Sequence, residues 1–368
     1  MKQKKLRVGI LFGGRSAEHE VSLQSAKNII EAIDKDKYDP VLIGIDKSGK
    51  WHLQEKSQFL LNETNPKLIA LNRSSSSVTL SPWHSENNLK NIGGGHISSH
   101  IDVVFPVLHG PYGEDGTIQG LLKLAGIPFI GASVLGSAIG MDKDVMKRLL
   151  LEARIPVTKF LVFTERDRKF LTFESLKQSV GIPFFVKPAN LGSSVGVWKV
   201  SSGDQFAKAR DDAFSYDTKI LVEQYIKGLE IECSVLGNED PIVSVAGEVV
   251  PTKDFYSYDA KYVDQDAAKL VCPADLEPKT LKKIQDMALR AYKTLCCEGM
   301  ARVDFFVTKY DTVFVNEINT IPGFTKISMY PKLWQESGIG YTELIDRLIT
   351  LAIERYEKEQ KLNTTRNT

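Results

Sequence analysis

The chain opens with an apolar run, Leu6 to Phe12, that stops at Gly13-Gly14; a helix-periodic stretch and a second apolar run, Tyr38 to Ile45, follow. Strand, glycine turn, helix and strand in that order begin a parallel α/β layer. Leu23, Ala26, Ile30 and Ile33 recur at three- and four-residue steps, which gives the helix one apolar stripe and a run to about Ile33, with Ser16 as its expected N-cap. The chain's 368 residues leave room for more than this one layer, roughly two or three domains in all.

Charge narrows the partners. Lys plus Arg is 47 and Asp plus Glu is 46, a net charge of +1. Nucleic acid and anionic membranes call for a basic excess, so neither is expected as a partner. The four cysteines (Cys233, Cys272, Cys296, Cys297) show no C-x-x-C spacing. That is too few for a disulfide scaffold and the wrong pattern for zinc, and it fits a reducing, cytoplasmic compartment. The N-terminal MKQKKLRVGILFGG has too short an apolar stretch for a signal peptide, and no window approaches the ~18 apolar residues of a membrane span.

Residues 72–100 are rich in Ser, Asn and Gly and read as a surface excursion or loop. A strongly apolar strand, Ile101 to Leu108, then leads through HGPYGEDG to a helix, Ile118 to Ala125, and a strand, Pro128 to Gly131. A second unit begins near Asp142 with an amphipathic helix carrying Val145, Leu149 and Leu150. PFFVKPANLGSSVGVWKV follows as two strands joined by a glycine- and serine-rich tip, and then a strand from Ile220 to Ile226. From about Lys227 a third unit has strands near 229–237, 241–250, 300–308 and 312–319 and helices near 279–295 and 342–358.

The segment ARVDFFVTKYDTVFVNEINTIPG bears most directly on chemistry. Strand side chains alternate faces, so Arg302 and Asp304 share one face, while Glu317 and Asn319 share theirs with Val313 and Val315. An even hairpin loop, such as Tyr310-Asp311, places 304 opposite 317 and 302 opposite 319; an odd loop would separate the two carboxylates. Facing carboxylates repel unless a cation lies between them. Mg²⁺ takes oxygen ligands from one or two carboxylates plus substrate phosphates. The patch is therefore a candidate Mg–nucleotide site, with a solvated, ion-paired outer face as the other reading.

Three further segments add to it. In FVKPANLGSSVGV, small residues with free N–H groups can wrap an anion, and Lys187 offers a point charge; neither the Walker A nor the G-x-G-x-x-G pattern is present. In KILVEQYIKGLEIECSV, Glu223 ends an apolar strand, and Glu230 and Glu232 alternate with Ile231 and Cys233. A strand-edge backbone beside a carboxylate could read adenine and a ribose hydroxyl; a strand with one solvated face is the alternative. GGRSAEHEV opens a helix, whose N-terminal N–H groups favour a carboxylate or phosphate, and HGPYGEDG follows a buried strand. Glu18 and His109 are the side chains of interest there.

Together FGGRSAEHEVSL, HGPYGEDGTIQG, GMDKDVMK, VKPANLGSSVGV, VEQYIKGLE, DFYSYDAKY, ARVDFF and NEINTIPGFTKISMYP resemble, in order and over about residues 8–331, the D-alanine–D-alanine ligases of the ATP-grasp superfamily. The resemblance implies a mixed α/β and α+β fold of three domains. These would be an N-terminal open parallel α/β sheet over 1–140 and two ATP-grasp subdomains, over 141–226 and 227–368. It also implies ATP-dependent joining of two D-alanines through an acyl phosphate, with D-alanyl-D-lactate or D-alanyl-D-serine formation, or ATP binding without catalysis, as alternatives. An NAD dehydrogenase is disfavoured by the missing glycine fingerprint.

By the same resemblance, Lys143, Lys187 and Lys261 would hold phosphates. Glu223, Gln224 and Ile226 would flank adenine, and Glu230 the ribose. Asp304, Glu317 and Asn319 would bind two Mg²⁺ ions, with Mn²⁺ as an alternative. Arg302 and the Gly323 N–H would stabilise the reacting carboxyl. Glu18, supported by His109, would orient the first D-alanine's ammonium; Ser193 and Tyr262 would bond to Glu18; Ser328 would hold the second carboxylate. DFYSYDAKY would be a lid over the substrates, and a homodimer is implied.

Overall fold

The computed structural model describes residues 4–55, 59–63, 65, 68–72, 76–82, 88–92, 100–251 and 268–363. Lys261 and Tyr262, expected in a lid, lie outside them.

The N-terminal layer forms as its pattern requires. It contains β1 (Leu6–Gly13), α1 (His19–Ala32), β2 (Tyr38–Ile45) and β3 (Trp51–Gln54). Two small hairpins follow, β4 (Leu60–Leu61) with β5 (Ala70–Leu71) and β6 (Val78–Leu80) with β7 (Leu89–Asn91), and then β8 (Val103–Val107). The sheet order is β3-β2-β1-β8; β1 runs parallel to β2 and β8, and β3 is an antiparallel edge. Val8, Ile10, Leu11 and Phe12 are all fully buried, as expected of a strand covered on both faces. The Ser- and Asn-rich stretch contributes the β6–β7 hairpin and so is in part a structured excursion.

Two expectations change here. Helix α1 starts at His19, with Glu18 rather than Ser16 at the N-cap position; the Ser16 hydroxyl instead accepts the Glu18 N–H at 2.9 Å, within the turn before the helix. Pro128 to Gly131 is no strand but a single bridge, Phe129 to Val104, that ends at Gly131 with φ +95°.

Then come α2 (Thr117–Ala125), α3 (Val134–Met141), which sequence reading missed, and α4 (Lys143–Glu152). On α4 the buried side runs through Met146, Lys147 and Leu150. Val145 and Leu149 are only partly buried. The central unit is β9 (Phe160–Thr164), α5 (Phe173–Val180), β10 (Phe184–Pro188), β11 (Trp198–Val200), α6 (Gly203–Tyr216) and β12 (Lys219–Gln224). Its antiparallel sheet, β11-β10-β12-β9, packs Phe184, Val186, Ile220 and Val222 against Leu176 of α5 and Phe206 and Ala209 of α6.

The last sheet, β15-β14-β13-β16-β17, is antiparallel throughout. Its strands are β13 (Gly228–Gly237), β14 (Ile242–Pro251), β15 (Ala268–Val271), β16 (Gly299–Thr308) and β17 (Val313–Asn319). Helix α7 (Pro278–Thr294) lies between β15 and β16 in sequence, and α8 (Met329–Glu336) and α9 (Tyr341–Gln360) follow β17. Ile231, Cys233, Val303 and Phe305 point into a core with Ile284, Ala288 and Tyr292 of α7. Period two then sends Glu230, Glu232, Arg302 and Asp304 to the other face.

The β16–β17 hairpin reaches the expected register by an unexpected route. Thr308 N–H bonds the Thr312 carbonyl at 3.0 Å, so the loop is the three residues 309–311, with Asp311 left-handed at φ +55°. That is the odd loop that should have separated the carboxylates. A β-bulge at Asn316 reverses its effect: Phe305 pairs with Val315, but Asp304 pairs with Glu317 and Arg302 with Asn319. The bulge also separates Val313 and Val315, fully buried in the core, from Glu317 and Asn319, which line a cavity on the opposite face. The expectation that all four share a face is corrected accordingly.

Candidate active site

Helix α4 is fixed at its first turn. Asp142 accepts the N–H groups of Asp144 and Val145 at 3.0 and 3.1 Å. Lys219 of β12 bonds Asp142 at 2.6 Å and Asp144 at 3.0 Å, clamping the helix to the central sheet. Lys143 is thereby aimed across the loop after β10: its Nζ lies 2.6 Å from the Leu191 carbonyl and 3.4 Å from Glu317.

That loop is held at its base by Asn190, whose N–H and Nδ2 both donate to Asp217, at 2.7 and 3.0 Å. At its tip Ser193 and Ser194 are left-handed, with φ of +53° and +60°, an uncommon conformation for residues with a side chain. The Ser193 hydroxyl donates to Glu18, bridging the central unit and the first helix.

Two cavities meet at this bridge. One, of about 420 Å³, is lined by Phe185, Lys187, Glu223, Gln224, Ile226, Glu230 and Phe306 among others. The second, of about 80 Å³, is lined by Glu18, His109, Glu114, Glu232, Arg302, Gly323 and Ser328 among others. Gly192, Ser193 and Glu317 border both.

Glu223 is 1% exposed and holds two lysines: Lys147 at 2.7 Å on Oε1 and Lys187 at 2.5 Å on Oε2. Burial opposes its ionisation, but the two ammonium charges outweigh burial and hold its pKa at about 2. The expected alternative of a solvated face therefore does not apply to Glu223.

In the second cavity Arg302 forks onto Asp304 at 2.7 and 2.8 Å and reaches Glu232 at 2.9 Å. Asn319 Nδ2 donates to Asp304 at 3.0 Å. His109 is buried, with Nδ1 3.1 Å from the Ile321 carbonyl and Nε2 3.3 Å from Ser25. A Cβ on Gly323 would fall 2.8 Å from the Ser328 hydroxyl, so this turn accepts only glycine without a shift. Ser328 Oγ accepts the Thr325 N–H at 3.0 Å.

Among the described residues no cluster of three or more His, Cys, Asp or Glu could hold a metal. The paired Asp304 and Glu317 with the Asn319 amide offer hard oxygen donors and no nitrogen or sulfur ligand. Such a set fits a divalent ion that completes its shell with phosphate and water.

The family profile described as "D-ala D-ala ligase C-terminus" matches residues 149–350, and the one described as "D-ala D-ala ligase N-terminus" matches residues 7–132. The chain belongs to the D-alanine–D-alanine ligase family.

Similarity to individual family members spans the whole length. The D-alanine–D-alanine ligase of Oceanobacillus iheyensis is 55% identical, covering 99% of both chains. The D-alanine–D-alanine ligase A of Escherichia coli is also 55% identical, over 98% of this chain and all of the relative. Among solved structures, the D-alanine-D-alanine ligase from Coxiella burnetii aligns with a TM-score of 0.84 and 38% identity, covering 98% of this chain and 97% of that one. The VanG D-Ala:D-Ser ligase from Enterococcus faecalis aligns at 0.82 and 37%, covering 95% and 100%.

Sequence reading of this ligase-family chain missed several residues that the fold brings to the site. Glu114 lies in the HGPYGEDG loop and accepts the Gly110 N–H at 2.7 Å; burial and the Glu18 charge push its pKa up. Glu232, which in the sequence shows only alternation with Ile231 and Cys233, shares Arg302 with Asp304. Lys147 falls one helical turn after Lys143 on a buried stripe, a lysine where the period asks for an apolar residue, and that mismatch was the available signal.

Proposed function

We propose that this chain is an ATP-dependent D-alanine–D-alanine ligase. The observation that carries the reading is the junction of a nucleotide-sized cleft and an amino-acid pocket at Gly192, Ser193 and Glu317, within a chain of this family. The N-terminal unit over 1–140 and the subdomains over 141–226 and 227–368 are assigned as its three domains, each contributing one of the three larger sheets.

The adenine of ATP would lie along Glu223, Gln224 and Ile226, the ribose at Glu230 and the phosphates at Lys143 and Lys187. Asp304, Glu317 and Asn319 would hold two Mg²⁺ ions, which supply charge neutralisation at the phosphates. The carboxylate oxygen of the first D-alanine attacks the γ-phosphorus; the bond to ADP breaks and an acyl phosphate forms. The amine of the second D-alanine then attacks the carbonyl carbon and loses a proton. The tetrahedral intermediate expels inorganic phosphate and leaves the dipeptide, a precursor of peptidoglycan.

Phosphoryl transfer is governed by positioning and charge. Arg302 would face the negative charge that develops on the carboxyl oxygen, with the Gly323 N–H as second donor. Glu18, held by Ser193, would take the first ammonium, and Ser328 the second carboxylate. The roles of Tyr262 with Glu18 and of Lys261 at the γ-phosphate rest on the family resemblance alone. A homodimer in the cytoplasm completes the assignment.

Incubation with ATP, Mg²⁺ and D-alanine is expected to yield equimolar phosphate and D-alanyl-D-alanine. ATP binding with no dipeptide across pH and salt would reject the reading in favour of a non-catalytic binder. The likeness to VanG makes D-serine the pertinent competitor, so D-alanine, D-serine and D-lactate should be offered together as second substrate. Arg302→Ala is expected to lower turnover about 10²–10³-fold, the range for losing one oxyanion donor, with ATP affinity held within a few-fold. An unchanged rate would remove Arg302 from the chemistry.

A further inference from the structure

We propose that Lys147 is a specificity-determining positioning residue: it fixes the Glu223 carboxylate as a hydrogen-bond acceptor for a purine 6-amino group and thereby sets the preference for adenine over 6-oxo purines. The inference deepens the nucleotide reading above and rests on it.

Lys147 is fully buried and lines neither of the two cavities, so it does not itself meet a ligand held in them. Its ammonium has three donors, and each has a partner: Glu223 Oε1 at 2.7 Å, Thr158 Oγ1 at 3.2 Å and the Asn316 carbonyl at 3.0 Å. Thr158, itself fully buried, also donates to Glu223 Oε1, at 3.2 Å. Oε1 is thus occupied from behind by two donors. Oε2 meets Lys187 at 2.5 Å, and since a carboxylate oxygen has two lone pairs it can accept a second donor from the cleft that Glu223 lines.

A carboxylate pinned in this way presents an acceptor and no donor. A 6-amino group satisfies it; a 6-oxo group places two acceptors face to face, and a buried polar group without a partner is costly. Core packing does not account for Lys147, since a buried ammonium is expensive to desolvate and an apolar side chain would fill the site more cheaply. The bulge at Asn316 contributes as well, because its backbone carbonyl leaves the ladder and becomes the third acceptor for Lys147.

The experiment compares kcat/KM for ATP and inosine triphosphate, which carries a 6-oxo group, in the full-length enzyme and in Lys147→Met, Thr158→Val and Glu223→Gln. Wild type is expected to prefer ATP. Lys147→Met is expected to lower the ATP-to-ITP ratio about tenfold or more, the size of one charge-assisted hydrogen bond, through KM for ATP, with kcat within a few-fold. Thr158→Val, a milder change, is expected to lower the ratio by a smaller factor, and it decides the matter should Lys147→Met fail to fold. A folded Lys147→Met whose two nucleotides weaken equally, or a Thr158→Val ratio equal to wild type, overturns the proposal. If wild type shows no preference and Glu223→Gln leaves the ratio unmoved, the placement of adenine at Glu223 fails instead.

Discussion

At the scale of a residue, His109 shows how burial sets protonation. The residue is 4% exposed, and burial, with the Arg302 charge nearby, brings its pKa down to about 4 despite the bond to Ile321. From about pH 6.5 down to about 4 the unfolded chain takes up the proton and the folded chain does not. Stability from this residue is therefore present above pH 6.5 and lost as pH falls through that window, on the order of 3 kcal/mol in all. Glu114 acts with the opposite sign: its raised pKa stabilises the fold at low pH, and the benefit disappears as pH rises. Relative to its value at pH 7, the urea midpoint at pH 4.5 is expected to stand higher in His109→Gln than in wild type, because the loss from His109 is removed while the opposing gain from Glu114 stays; an identical pH shift in the two proteins would contradict this account. The position of His109 at a strand end was legible in the sequence. Its bond to Ile321, 212 residues away, was not.

At the scale of an element, α4 carries two lysines on its buried side, Lys143 and Lys147. Their aim depends on the first turn. Asp142→Ala removes the cap and one carboxylate of the Lys219 clamp. The expected cost is about 1–2 kcal/mol, read by chemical denaturation, together with weaker ATP binding because Lys143 starts the helix. Unchanged affinity in a destabilised protein would separate the cap from the site. Hydrophobic periodicity located this helix but ranked Val145 and Leu149 above Lys147, since a period counts apolar residues and does not see a buried charge with its counter-charge on another strand. The β16–β17 ribbon teaches a similar lesson. Alternation correctly grouped Arg302 with Asp304, but the loop and the bulge are two one-residue irregularities that cancel. The Asn316 bulge is stabilised by partners from α4 and β10, through its carbonyl to Lys147 and its side chain to Lys187.

At the scale of the molecule, α9 near the C-terminal end ties back to the first sheet. Arg355 is 8% exposed and donates to the carbonyls of Gly131 at 2.6 Å and Phe129 at 2.7 Å, with its guanidinium 4.6 Å from the Phe129 ring centre. Leu344, Leu348 and Ile349 of α9 share a core with Val8, Phe12 and Phe105 of that sheet. Arg355→Ala leaves two buried carbonyls without their donor, and a loss of about 2–4 kcal/mol is expected, read as a lower urea midpoint. A midpoint within error of wild type would show that α9 is held by its apolar face alone.

The strands and helices that flank the motifs, and the motif-bearing loops between them, were set by the linear pattern, because period and turn chemistry act over a few residues; α3 and the grouping of strands into three sheets were not. The family resemblance was equally a property of the sequence. Folding alone decided which of those loops converge at Ser193 and Glu18, that an odd turn and a bulge together return Glu317 to Asp304, and that Lys147 and Lys187 share one buried carboxylate. The reason is physical: a charge is tolerated out of water only when distant segments supply its partners, and the sequence does not list which distant segments will meet.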